Sequence, residues 1–300
     1  MEIRPDYYDD FKCIAGACRH NCCIGWEIDI DDESLQNYQH AAGALGDKLQ
    51  THIALEPCAH FVLSAGERCP FLNEDNLCEL ILQGGEGMLC QICRDHPRFY
   101  NEVCGVIEKG LGLCCEAAAK LILTKQEPMC LLSDDGTLPQ SGFFKERERL
   151  FSLLQDRERP LSERVARMLE WVGARSPIGK TDWIRVYKGL ERLDPAWDEY
   201  LDAIDSIGED IPATLETTCE QLLCYFLYRH LSGALDDGLF RERVQFAVLS
   251  CYVIVTLCRS HSTDELLEVA RMYSSEIEYS DENVDILLET LQEYNEGGDD

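Results

Sequence analysis

Thirteen of the seventeen cysteines fall before residue 131, and they form one ordered pattern. It opens with Cys13-x4-Cys18-x3-Cys22-Cys23-x2-Trp26 and continues through Cys69-Pro70-Phe71-Leu72 to Cys78. Cys90-x2-Cys93-x2-His96-Pro97-Arg98 follows, and the pattern closes on Cys114-Cys115-Glu116. Thiolates are soft ligands, and close-spaced thiols with distant partners are the signature of a zinc or iron–sulfur site. The spacing by itself points to a thiolate-rich site and no further.

Disulfides are the competing use of so many cysteines, mostly in small secreted domains. This chain has 300 residues, enough to bury a substantial core, and an odd number of cysteines cannot pair completely. Its first residues, from Met1 to Tyr8, contain neither an apolar stretch nor a small-residue cleavage site, so no signal peptide is expected. Reduced, metal-bound thiolates in the cytoplasm are therefore expected.

Composition narrows the partners. Apolar residues make up 45% and charged residues 28%, as in a folded soluble protein. Asp and Glu number 56 against 27 Lys and Arg, a formal charge of −29 that repels nucleic acid phosphates. From Met272 to Asp300 there is no Lys or Arg. Such a field favours basic partners, although it also serves solubility alone. The longest apolar run, Phe246 to Cys258, is too short for a membrane span, which needs about 20 residues. It predicts a buried core helix and no membrane partner.

Positioning these thiols falls to short elements. Asp31 or Asp32 caps a predicted helix to about Gln50, with Leu35, Tyr38, Ala42, Leu45 and Leu49 on one face. His60–Leu63 and Cys69–Leu72 read as short strands, and Asn73–Asn76 has turn composition. Phe99–Tyr100 and Val103–Glu108 predict a hairpin, with a helix starting near Cys115. Leu131 to Gly142 has linker composition. From about Phe143 helices are predicted near 143–156, 161–173, 183–193, 196–206, 213–235, 239–259 and 263–294, the last broken around Tyr279–Asn283. Cys219, Cys224, Cys251 and Cys258 lie there as small hydrophobes of a helical core. The expected fold is mainly α: a small irregular α+β cysteine-rich metal-binding lobe over 1–130, an all-α bundle over 143–294, and an acidic tail over 295–300.

These residues resemble the FliB-type flagellin lysine-N-methylase family, whose amino-terminal region is described as a zinc- or iron-chelating domain. The resemblance rests on five blocks in order. They are Pro5-x-Tyr7-Tyr8-x2-Phe11-x-Cys13, Cys18-x3-Cys22-Cys23-x-Gly25-Trp26-x-Ile28-x-Ile30-Asp31, Cys69-Pro70-Phe71-Leu72 with Leu77-Cys78, Gly87-x-Leu89-x3-Cys93-x2-His96-Pro97-Arg98, and Leu111-x-Leu113-Cys114-Cys115-Glu116-x-Ala118. It covers roughly residues 5–124, and the helical remainder matches only in general character. Cys114 stands where the family usually has Ser, His96 where Tyr is common, and the customary Pro before Glu116 is missing.

The resemblance implies methyl transfer from S-adenosylmethionine to a lysine amine of flagellin, or of another lysine-bearing protein, by a protein carrying a [4Fe–4S] cluster. It also implies eight metal ligands: Cys13, Cys18, Cys22, Cys23, Cys69, Cys78, Cys93 and Cys115. A cluster needs three or four thiolates and a structural zinc at most four, so zinc stays open as the alternative. Cys58, Cys90, Cys104, Cys114 and Cys130 fall outside the pattern and read as ordinary thiols. Trp26 either packs against the site or stacks on a cofactor, and Arg98 suits the carboxylate of the methyl donor or a structural ion pair. A redox or scaffold protein without methyl chemistry would use the same cysteines. No dinucleotide-type G-x-G-x-x-G follows a strand, because Gly110-x-Gly112 runs into Leu113-Cys114-Cys115. Among Asp29, Asp31, Glu116, Tyr7 and Tyr8 the sequence singles out no general base.

Overall fold

The computed structural model describes residues 1–140, 142–179 and 181–297. In chain order they form β1 (Glu2–Pro5), α1 (Asp32–His40), α2 (Gly43–Thr51), β2 (Ile53–Ala54), β3 (His60–Phe61), α3 (Glu79–Gly84), α4 (Gln91–Asp95), β4 (Arg98–Val103), β5 (Val106–Leu111), α5 (Glu116–Leu123) and β6 (Leu131–Ser133). The rest is helical: α6 (Phe143–Leu154), α7 (Leu161–Trp171), α8 (Trp183–Gly189), α9 (Ala196–Leu201), α10 (Glu216–His230), α11 (Ala234–Asp237), α12 (Phe240–Leu257), α13 (Thr263–Tyr273) and α14 (Asp281–Glu296). Two compact units result. One comprises Lys12–Phe99 with Cys115–Ala117; the other comprises Met1–Phe11, Tyr100–Cys114 and the chain from Ala118.

In the cysteine-rich unit the predicted helix of residues 31–50 is two helices. Asp31 caps α1, its carboxylate accepting from the Ser34 N–H at 2.9 Å. Ala41 then turns extended, and α2 starts at Gly43, whose φ of +73° suits glycine. Gly46 lies against the Ala41 carbonyl so closely that a Cβ would come within 2.2 Å of it. Cys69–Leu72 is likewise no strand. It is a loop that borrows single pairings: Cys69 N–H donates to Cys23 O at 2.8 Å, and Leu72 bridges to Cys78. The Asn73 turn is as expected, its Oδ1 accepting from the N–H groups of Asp75 and Leu77.

The helical unit carries a four-stranded sheet in the order β4-β5-β1-β6. β4 and β5 form the expected hairpin, turning at Cys104 and Gly105, both with positive φ as a two-residue turn requires. β1 was not foreseen. It runs parallel to β5, with Ile3 opposite Glu108, and antiparallel to β6. β6 occupies part of the expected linker. Strands of the first 130 residues complete this sheet, and the compact unit that holds the helices accordingly includes Met1–Phe11 and Tyr100–Cys114.

α10 and α12 are buried on nearly every side, as helices at the centre of a bundle are. Cys219, Cys224, Cys251 and Cys258 are buried there. The Tyr228 hydroxyl of α10 reaches the carbonyls of Ile3 and Lys109, both at 3.1 Å, fixing the sheet on the helix. Between α13 and α14 the chain makes a π-helical turn, Ser274–Glu278, and the expected break follows at Tyr279–Ser280. α14 extends through Glu296, so the start of the predicted tail is helical: Asn295 hydrogen-bonds to Glu242 and Gln245. Gly298 to Asp300 lie outside the described residues. Among the described residues no helix is long and apolar enough to cross a membrane.

Candidate functional site

The thiols gather around the core of the cysteine-rich unit. Ile28, Ile30, Tyr38, Leu49, Phe61, Phe71 and Leu80 make that core together with Cys69 and Cys90, and Cys23, Cys78 and Cys93 pack against it. Cys78 immediately precedes α3 and Cys90 immediately precedes α4, which puts Cys93 in the first turn of that helix. Cys90 and Cys93 stand with their Sγ atoms 3.4 Å apart. A hydrogen bond from Cys93 pulls the Cys90 thiol down, while the same bond and burial push Cys93 up. Burial lifts Cys69 to about 11.

Cys22 extends the run beyond the core. It hydrogen-bonds to Cys23, which pulls its thiol down against the opposing effect of burial, and His96 lowers it further. Burial pulls the His96 imidazole down, but hydrogen bonds to Cys115 and Cys22 outweigh it and lift His96 to about 9. Sulfur thus runs from Cys115 by way of His96 to Cys22 and Cys23. Cys18 stands next to Glu116, with Sγ 3.7 Å from its carboxylate, and burial raises it to about 11. Cys13 is exposed, and its Sγ accepts from the Ala15 N–H at 3.4 Å. As they stand, no three His, Cys, Asp or Glu side chains among the described residues are gathered closely enough to hold a metal ion.

The structure therefore groups four of the eight pattern cysteines, Cys23, Cys69, Cys78 and Cys93, in one core. It sets Cys22 and Cys115 beside His96 and leaves Cys13 apart. Two members of this arrangement lay outside the predicted set. Cys90 read as an ordinary thiol yet is fully buried against Cys93, and its C-x2-C spacing was the available signal. His96 joins two of the thiols, and only its place three residues after Cys93 hinted at that.

Trp26 lines a cleft of about 350 Å3 together with Gly25, His60, Val62 and Glu67. The Arg98 guanidinium lies 3.4 Å from the Arg94 carbonyl. The candidate bases already have structural work. Asp31 caps α1 and also accepts from the Gln91 N–H at 2.7 Å. Glu116 pairs with Arg19 at 3.0 Å, and Tyr7 is buried with its hydroxyl pushed far up by that burial.

The helical unit holds a second polar constellation. The Glu278 carboxylate, fully buried at the end of the π-turn, accepts from the Tyr225 hydroxyl at 3.0 Å and from His230 Nε2 at 2.6 Å, with Arg229 Nε at 3.3 Å. The Tyr225 hydroxyl accepts from the Leu113 N–H at 3.3 Å.

Residues 179–299 match the FliB lysine N-methylase C-terminal domain family. The match falls on the helical part, where the sequence offered only a general likeness: helix-packing positions carry no short motif to read. Lysine-N-methylases of Salmonella choleraesuis and Salmonella typhimurium are 29% and 28% identical over 161 residues, half of this chain and 40% of theirs. The match thus spans less than half the length of these relatives. Flagellar biosynthetic protein FliU of Salmonella muenchen is 28% identical over 134 residues, 42% of this chain and 79% of that protein. No solved structure matches.

Proposed function

We propose that this chain, whose residues 179–299 match the FliB lysine N-methylase C-terminal domain family, methylates lysine side chains of a protein substrate, flagellin above all, in the cytoplasm. The observation that carries this reading is the match of residues 179–299 to a lysine N-methylase domain. S-adenosylmethionine is the proposed donor. An N–C bond forms at the lysine amine as the S–C bond of the sulfonium breaks, S-adenosylhomocysteine leaves, and the amine's proton passes to solvent.

A free lysine amine has a pKa near 10.4, so presenting it neutral at pH 7 costs about 4.6 kcal/mol. A desolvated site or a base must offset that cost. Trp26 is assigned to stacking on the donor, which its position in the smaller cleft supports, and Arg98 to the donor's carboxylate.

The donor set suits a sulfur-ligated centre. Five thiols packed into one core exceed the three or four that a [4Fe–4S] cluster requires, and soft ligands of this kind also accept zinc. Cys23, Cys69, Cys78, Cys90 and Cys93 would supply its ligands once drawn closer together, since as they stand no three of them are near enough to share an ion, with Cys22 and Cys115 as further donors. When bound, a cluster would supply redox-active iron, whereas zinc would supply folding energy.

The test is to incubate the anaerobically purified chain with flagellin and S-adenosylmethionine and to map added methyl groups by mass spectrometry. Donor-dependent methylation of lysine is expected. Iron-loaded protein that leaves every lysine unmodified would overturn the reading in favour of a redox or scaffold role.

A further inference from the structure

A second cleft, of about 560 Å3, opens in the helical unit where the first turn of α6, the end of α7 and the start of α12 meet. Its wall is Trp171, Val172 and Phe240; its charged groups are Glu146, Arg241 and Glu242. We infer that this cleft binds the side chain of a lysine, free or methylated, presented by the protein substrate. The inference rests on the proposed lysine methylation and names the place where that lysine is held.

The chemistry of the lining supports this occupant. A lysine combines an apolar four-carbon stem with a compact cation. Trp171 is 51% exposed although it ends a packed helix, so a large aromatic surface stays available for the stem. It also accepts a cation, since the Arg149 guanidinium lies 5.1 Å from its ring centroid. Cation–π attraction persists on methylation, because a methylated ammonium keeps its charge.

Two carboxylates face the cation. Trp171 Nε1 lies 3.4 Å from Glu146 Oε2, which ties the exposed carboxylate to the aromatic wall. Glu242 is buried, and Arg241 (2.7 Å) and Asn295 (2.9 Å) both bond its Oε1. Its Oε2 accepts no hydrogen bond among the described residues. Among the described residues Arg241 is the one cation of the lining and pairs with Glu242, whereas Glu146 makes no direct ion pair, the neighbouring Arg149 lying over the Trp171 ring instead. An anionic ligand would meet the Glu146 carboxylate at this wall. The formal charge of −29 adds long-range attraction for a basic partner.

The test follows the indole N–H resonance of Trp171, assigned with Trp171→Phe, in the whole 300-residue chain titrated with N-acetyl-lysine methylamide. The resonance is expected to shift with the blocked lysine and with its trimethyl form, and to stay put with the uncharged norleucine analogue. Glu146→Gln, a surface change that leaves packing intact, should raise the Kd at least fivefold, and Glu242→Gln should act in the same direction. A resonance that does not move, that moves equally with norleucine, or a Kd unchanged in Glu146→Gln overturns the site. Assaying methyl transfer separates the two readings. Methylation with an unaltered KM in Glu146→Gln sinks the site alone, whereas specific lysine binding without any methylation sinks the enzymatic reading alone.

Discussion

Glu278 gathers Tyr225, Arg229 and His230 around one buried carboxylate. Burial pushes this carboxyl up, but Arg229 and His230 outweigh it and hold Glu278 below its usual 4.5, while burial keeps His230 below its usual 6.5. Both depressed groups act in one direction. His230 must gain a proton that the folded state resists, so stability falls as pH drops below 6.5, and Glu278 adds a further loss as pH falls through its lowered value. Denaturant unfolding between pH 7 and 4 should therefore show falling stability. His230→Gln, which can still donate to Glu278, should flatten the portion just below pH 6.5; an unchanged profile would contradict this assignment. Arg147 and Glu108 make a second buried ion pair, with Nη1 2.6 Å from Oε2. Removing one partner strands the other charge away from water. Glu108→Leu is expected to cost about 3–5 kcal/mol in denaturant unfolding. Neither pairing was legible in the sequence, because Glu278, Arg147 and Glu108 look like ordinary solvated charges until the sheet and helices enclose them.

At the level of elements, the paired helices α1 and α2 show how far periodicity reaches. Leu35, Tyr38, Leu45 and Leu49 lie on helices, with Tyr38 and Leu49 in the core, whereas Ala42, expected on the same face, falls between the two helices and is exposed. What periodicity cannot register is the backbone approach of Gly46 to Ala41, which sets one helix off from the next. Gly46→Ala should lower stability by about 1–3 kcal/mol, as over-packing typically does. Limited proteolysis should then cut first between His40 and Gly43; a variant as resistant as the parent would show that the break does not need glycine. β6 illustrates the converse. Its residues Leu131–Ser133 sit in a segment of linker composition and become a strand only because β1 offers an edge.

Over the whole molecule, the cysteines divide by environment. Cys23, Cys69, Cys78, Cys90 and Cys93 share one core, whereas Cys58, Cys104 and Cys130 are exposed. Serine substitutions in the first group are expected to lower the iron or zinc content of anaerobically purified protein, and those in the second group to leave it unchanged. Loss of metal from Cys104→Ser or Cys130→Ser would break the assignment. The acidic field predicts in addition that binding of a lysine-bearing substrate weakens as salt rises, since exposed charges more than about 10 Å apart are screened at 0.1 M ionic strength. Affinity that stays flat from low to moderate salt would exclude electrostatic docking.

The sequence by itself determined the inventory. Thiol spacing marked the stretch that concentrates soft ligands, apolar periodicity marked nearly all of the helices, and the excess of acidic residues settled the sign of the field. These properties are local or additive, so they can be read along a chain. Tertiary structure alone decided which sulfurs meet, that His96 stands between Cys22 and Cys115, and that the strands of the first 130 residues complete a sheet in the helical unit. It also decided that Trp171, Glu146 and Glu242 line one cleft. Each of these depends on packing between distant segments, where proximity follows from the burial of whole faces and leaves no mark in the spacing of residues.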